Sequence, residues 1–203
     1  PLLKEKKFWF AASTHQEEDI FCLKTHLELK KEFADIITII APRHIERVKK
    51  IETLSQKFNL KTQILQKDEA IINDKEIVII NYFGSLKEFF KFSKSVFIGK
   101  SLSQKFKKNG GQNPIEAAKL KCKIYHGPYV YNFEEIYKIL SDNNISQLIE
   151  NPQDLANNLQ EDFKTTNKDI EKFSQTMINL SEKTLSETML RINNILENEN
   201  FKT

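Results

Sequence analysis

The chain has little glycine, cysteine or proline: five Gly, two Cys and five Pro in 203 residues. Scarce glycine and proline exclude collagen-like and low-complexity chains. Cys22 and Cys122 lie far apart in the sequence, which argues against a disulfide framework and for a reducing compartment. His15, His26, His44 and His126 form no HExxH and accompany no CxxC, so a structural zinc site is not expected. The apolar runs around Thr38 fall far short of the roughly 20 residues a membrane span needs. A net charge of +3 is too small to make nucleic acid the default partner. No signal-peptide pattern is present, and the chain starts at Pro1 rather than Met, so it is expected to be a piece of something longer.

What is present is alternation. Strands are expected at 8–12, 36–41, 61–65, 76–80, 95–98, 123–125 and 147–149, where short β-branched or aromatic runs occur. Between most of them lie amphipathic stretches that read as helices: 17–33, 44–58, 84–92, 113–120 and 133–140, with 152–163 after the last. Such βαβ repetition forces a mostly parallel sheet covered by helices on both faces. Residues 1–164 are therefore expected to form one α/β, doubly wound, Rossmann-like domain. Residues 165–203 carry a one-sided stripe (Ile170, Phe173, Met177, Leu180, Met189, Ile192, Leu196) and read as a C-terminal helical extension. That stripe packs either on its own domain or on a missing domain or twin subunit.

Charge is uneven. Residues 83–108 hold seven Lys and one acid together with Phe89, Phe90, Phe92, Phe97 and Phe106. This block reads either as a solvated basic face or as a surface for anionic lipid. Residues 129–162 hold seven acids and one Lys.

In open parallel sheets, ligands bind beyond the carboxyl ends of the strands. The unusual residues collect there: Ser13 and His15 after the first strand, Pro42, Arg43 and His44 after the second, Phe83, Gly84 and Ser85 after the Glu76–Ile80 run. The turn Gly110-Gly111-Gln112-Asn113-Pro114-Ile115-Glu116 has a capping residue, a helix-compatible proline and a carboxylate three residues past the cap. Glu116 reads either as a capping-box partner or as an acceptor for sugar hydroxyls. Arg43 suits a phosphate or carboxylate, or a surface ion pair. His15 and His44 could donate to a phosphate, or act as turn residues. GxGxxG, GxxxxGK[ST] and GxSxG are all missing, which removes the best support for NAD, P-loop and α/β-hydrolase chemistry.

Ala-Ser-Thr-His (12–15), Ala-Pro-Arg-His (41–44), Asn-Tyr-Phe-Gly-Ser-Leu (81–86), Phe-Ile-Gly-Lys-Ser-Leu (97–102), the 110–116 turn and the Cys122–Phe133 run occur in order. Together they resemble the C-terminal half of bacterial 3-deoxy-D-manno-octulosonic acid (Kdo) transferases over about residues 8–165. The resemblance implies a GT-B glycosyltransferase that moves Kdo from CMP-Kdo to a lipid A precursor in lipopolysaccharide biosynthesis. It implies the C-terminal donor-binding half, with the catalytic base, acceptor site and membrane anchor on an N-terminal half that is not in this chain. The implied CMP contacts are Pro42, Arg43, Phe83, Gly84, Ser85, Asn113, Pro114, Ile115 and Glu116. Ser13, His15, His44, Gly110 and Gly111 are implied as support. Inversion without a metal or other cofactor, at the cytoplasmic face of the inner membrane, is part of the same expectation. The chain departs from the family pattern at Ser85, Lys100 and Gln112, where Glu, Gly and His are usual. A UDP-sugar donor domain of the same fold, or a non-catalytic module for a membrane or partner protein, are the alternatives.

Overall fold

A computed structural model describes residues 6–164 together with Leu3. The expected helical extension at 165–203 lies outside the described residues.

Seven strands form one parallel sheet. In chain order the elements are β1 (Phe8–Thr14), α1 (Glu18–Lys30), β2 (Ile37–Pro42), α2 (Val48–Lys57), β3 (Thr62–Leu65) and β4 (Ile77–Ile80). These are followed by α3 (Leu86–Phe92), β5 (Ser95–Ile98), α4 (Ile115–Lys119), β6 (Lys123–His126), α5 (Glu134–Asp142), β7 (Ser146–Leu148) and α6 (Pro152–Lys164). The spatial order is β3-β4-β2-β1-β5-β6-β7. From β1 the chain fills one side of the sheet, with β2 beside β1, β3 at the edge and β4 inserted between β2 and β3, and then returns to build outward from β1 on the other side. The reversal therefore lies between β1 and β5, which pair from Phe10↔Val96 to Ala12↔Ile98.

Burial explains why the strands read as continuous apolar runs. Every residue of β1, β2, β4 and β5 is buried, as strands covered on both faces must be. Alternation assigns the faces. Trp9 and Ala11 belong to a core with Phe21 and Leu23 of α1 and with Leu155 and Leu159 of α6. Phe10, pointing the other way, packs its ring 5.4 Å from both Phe89 and Phe90 of α3.

One local expectation needs correction. The helix expected over 44–58 begins as a 3-10 turn at Ile45–Arg47 and becomes α-helical at Val48. No helix joins β3 to β4, although the two are parallel neighbours. A loop makes the crossover, tied by the buried Gln63: its Nε2 donates to Ala70 O (2.9 Å) and its Oε1 accepts the Ile72 N–H (2.9 Å).

Candidate functional site at the strand exits

The exits of β1, β2 and β4 surround a cavity of about 420 Å³. Its lining includes Ser13, Pro42, Arg43, Phe83, Gly84, Ser85 and Glu116, all singled out from the sequence. Tyr82 of the 81–86 motif also lines it, as do Ile45 and Lys87, which carry no site signal in the sequence.

Arg43 is exposed, and its backbone N–H is fixed by Thr14 O at 3.0 Å. Among the described residues its guanidinium has no carboxylate partner, so the ion-pair reading of Arg43 is not realised. Across the cavity Glu116 is exposed, and its carboxylate makes no hydrogen bond or ion pair among the described residues. The capping box in which it would bind the Asn113 N–H is not formed. Asn113 itself caps: its Oδ1 accepts the Ile115 N–H at 2.9 Å. With Lys87 also on its wall, the cavity carries two cations against one carboxylate. It thus suits an anion that also bears hydroxyl donors for Glu116.

The Phe83–Ser85 turn supplies main-chain groups. Gly84 has φ 85°, a conformation that glycine adopts without steric cost. The amides of Phe83, Gly84 and Ser85 donate no hydrogen bond among the described residues. Phe83 is 74% exposed at the cavity mouth, whereas Ser85 is buried.

The other candidates lie outside the cavity. Pro114 and Ile115 place Glu116 without lining the cavity themselves. Gly110 is packed so closely that an added Cβ would stand 2.3 Å from Tyr129 O. Gly111 donates its N–H to Lys100 O at 2.7 Å. His15 packs edge-on against His44 (5.6 Å between ring centroids) and Phe106 (5.0 Å). Burial and the nearby charges of His44, Arg47, Lys100 and Lys105 hold its pKa down at about 4, so the ring is neutral at pH 7. His44 is exposed and 3.6 Å from Glu46.

Two acids with no site signal in the sequence hold the reversal point together. Glu18, at the start of α1, is fully buried. Its carboxylate accepts the N–H groups of His15, Lys100 and Ser101, each at 2.8 Å, and of Leu102 at 3.1 Å. Burial pushes its pKa up, against the four amides, which pull it down. Beside it, buried Asp19 accepts Thr14 Oγ1 (3.0 Å) and pairs with Arg47, whose Nη1 reaches Thr14 O at 2.8 Å. These acids fix the exits of β1 and β5 against each other and hold Ser13 at φ 54°. Among the described residues no cluster of three His, Cys, Asp or Glu could hold a metal ion.

The doubly wound parallel sheet is a Rossmann-like half of the GT-B fold. The solved C-terminal CMP-Kdo binding domain of WaaA from Acinetobacter baumannii has this fold, with a TM-score of 0.76 at 22% identity, covering 87% of this chain and 90% of that one. The 3-deoxy-D-manno-octulosonic acid transferase of Rickettsia typhi is 37% identical over 149 residues, 73% of this chain and 31% of the relative. That of Haemophilus influenzae is 29% identical over 137 residues, 68% of this chain and 31% of the relative. No protein-family model matches. The chain belongs with the Kdo transferases, and it spans about a third of the length of these curated relatives.

Proposed function

We propose that this chain is the donor-binding part of a Kdo transferase and that its strand-exit cavity holds the CMP of CMP-Kdo. The observation that carries the reading is one cavity lined by Arg43 and Glu116, each without a partner among the described residues. Arg43 takes the phosphate, with two parallel N–H donors matched to its oxygens. Glu116 accepts hydrogen bonds from the ribose hydroxyls. The free amides of Phe83, Gly84 and Ser85 meet the cytosine edge or the phosphate. As Kdo leaves, negative charge grows on the CMP phosphate. The guanidinium stabilises that charge within a site already built to receive it.

The reaction is an inverting, metal-independent displacement in which a lipid A precursor attacks the Kdo carbon. The attacking hydroxyl belongs to the acceptor and the base that deprotonates it to a part of the enzyme outside this chain, so the chain alone has no turnover. The whole enzyme works at the cytoplasmic face of the inner membrane. Exposed Phe83 and Phe92, alongside Lys87 and Lys91 on α3, are suited to face that surface.

The test is a thermal-shift and calorimetry panel of CMP, UMP, UDP and GDP on the chain. CMP is expected to bind best, and Arg43→Ala to weaken it about ten-fold or more, from roughly 1.5–3 kcal/mol for a charged hydrogen bond. A preference for UDP, or equal CMP binding by both forms, would refute the proposal.

A further inference from the structure

Lys100 is the second residue past β5, and its backbone sits at φ 60°, in the left-handed region. A lysine pays there for a conformation that glycine adopts freely. The backbone cannot relax, because it is held at both ends. The Lys100 N–H donates to Glu18 (2.8 Å) and the Lys100 carbonyl accepts the Gly111 N–H (2.7 Å).

The side chain sits among cations. Its Nζ is 5.9 Å from the Phe106 ring, with Lys105 at 5.1 Å from the same ring and His15 packed on it. Most neighbouring charges are answered. Lys105 lies 3.6 Å from Glu17, Arg47 pairs with Asp19, and His44 lies 3.6 Å from Glu46. Lys100 has no carboxylate partner among the described residues. The buried carboxylate nearest to it in the chain's bonding, Glu18, is already engaged by four amides. A costly backbone conformation thus carries an unanswered charge into an electropositive cluster.

That cluster borders the donor cavity. Ser13 lines the cavity, and Gly99, which precedes Lys100, packs so closely that an added Cβ would stand 2.5 Å from Ser13 O. We propose that Lys100 forms a second anion subsite beside the nucleotide cavity and takes the carboxylate that an ulosonic acid carries and a neutral sugar lacks. Lys105 and Arg47 add to the field without leaving their own partners. The subsite adds affinity for an acidic sugar, beyond what relatives with glycine at this position obtain, whereas Arg43 recognises the nucleotide phosphate. The inference rests on the reading of the cavity as a CMP-sugar site.

The experiment measures the affinities of CMP and CMP-Kdo for the chain, for Lys100→Ala and for Lys100→Gly. Glycine suits φ 60°, so Lys100→Gly keeps the fold and should unfold at a higher urea concentration than wild type. Both variants are expected to keep their CMP affinity within two-fold and to lose about ten-fold for CMP-Kdo, as befits one charged hydrogen bond. If wild type binds CMP and Lys100→Gly retains full CMP-Kdo affinity, or loses CMP and CMP-Kdo equally, the subsite is refuted while the donor reading stands. If wild type binds neither CMP nor CMP-Kdo, the donor reading fails and the subsite falls with it.

Discussion

Gly99→Ala tests how tightly the reversal point is built. The methyl group would sit 2.5 Å from Ser13 O, 2.7 Å from Glu18 Oε2 and 2.8 Å from Thr14 Cα. Two of these atoms are backbone of the β1 exit, and the third belongs to a buried carboxylate held by four amides. Relief requires the β1 and β5 exits to part or Glu18 to give up some of its donors. Overpacking costs typically 1–3 kcal/mol, and an unsatisfied buried acceptor adds to that, so a loss of about 2–4 kcal/mol is expected. Gly84→Ala is the control: it meets no atom within 4 Å and costs only its φ of 85°, about 1 kcal/mol. Urea unfolding followed by circular dichroism reads both. With a slope of about 2 kcal/mol per molar, Gly99→Ala should lower the midpoint by about 1–2 M at unchanged slope. Gly99→Ala no less stable than Gly84→Ala would refute the tight apposition of the two exits.

Stability should fall in acid through His26. Its ring is buried, with Nδ1 2.9 Å from Thr38 Oγ1, and burial lowers its pKa from 6.5 to about 4. The unfolded chain therefore takes up this proton first. The contribution is complete above about pH 6.5 and is lost as pH falls towards 4, amounting to about 3 kcal/mol. His26→Gln should flatten urea midpoints between pH 7 and 4.5, and an unchanged profile would contradict the assignment. Asp19→Ala leaves Arg47 without its carboxylate and Thr14 without its acceptor, and should cost about 3–5 kcal/mol by denaturant unfolding. A loss under about 1 kcal/mol would mean the pair does not hold the β1 exit. Phe83→Ala, at a 74% exposed position, should leave the unfolding midpoint in place.

Much of the sheet was legible because strands covered on both faces cannot hide. Ile77–Ile80 and Phe8–Thr14 are buried from end to end, and the sequence is apolar throughout the first and from Phe8 to Ala12 in the second. The stretch between β3 and β4 reads without helical periodicity and forms no helix, but nothing in local periodicity says that Gln63 will tie the loop with its side chain. The cavity lining was found in large part because ligands in such sheets meet strand exits, which drew attention to Arg43 and Phe83–Ser85 before any coordinates. Glu116 stayed ambiguous, since a carboxylate three residues past a cap serves either role. Only its lack of an Asn113 contact separates them. His15, His44, Gly110 and Gly111 sit at strand exits too, yet their packing keeps them off the cavity wall. Glu18 and Asp19 were missed for a physical reason. Acids in a first helical turn ordinarily complement the helix dipole in water, but here Glu18 is enclosed by a loop more than 80 residues away in sequence and Asp19 by Thr14 and Arg47.

The most direct measurement is an amide NMR titration of the chain with CMP. A saturable response is expected, with the largest shifts at Arg43, at Phe83 to Ser85 and at Glu116, and small shifts at the β7 edge. Saturable shifts centred away from the β1, β2 and β4 exits, or none at millimolar CMP, would contradict the cavity as the cytidylate site.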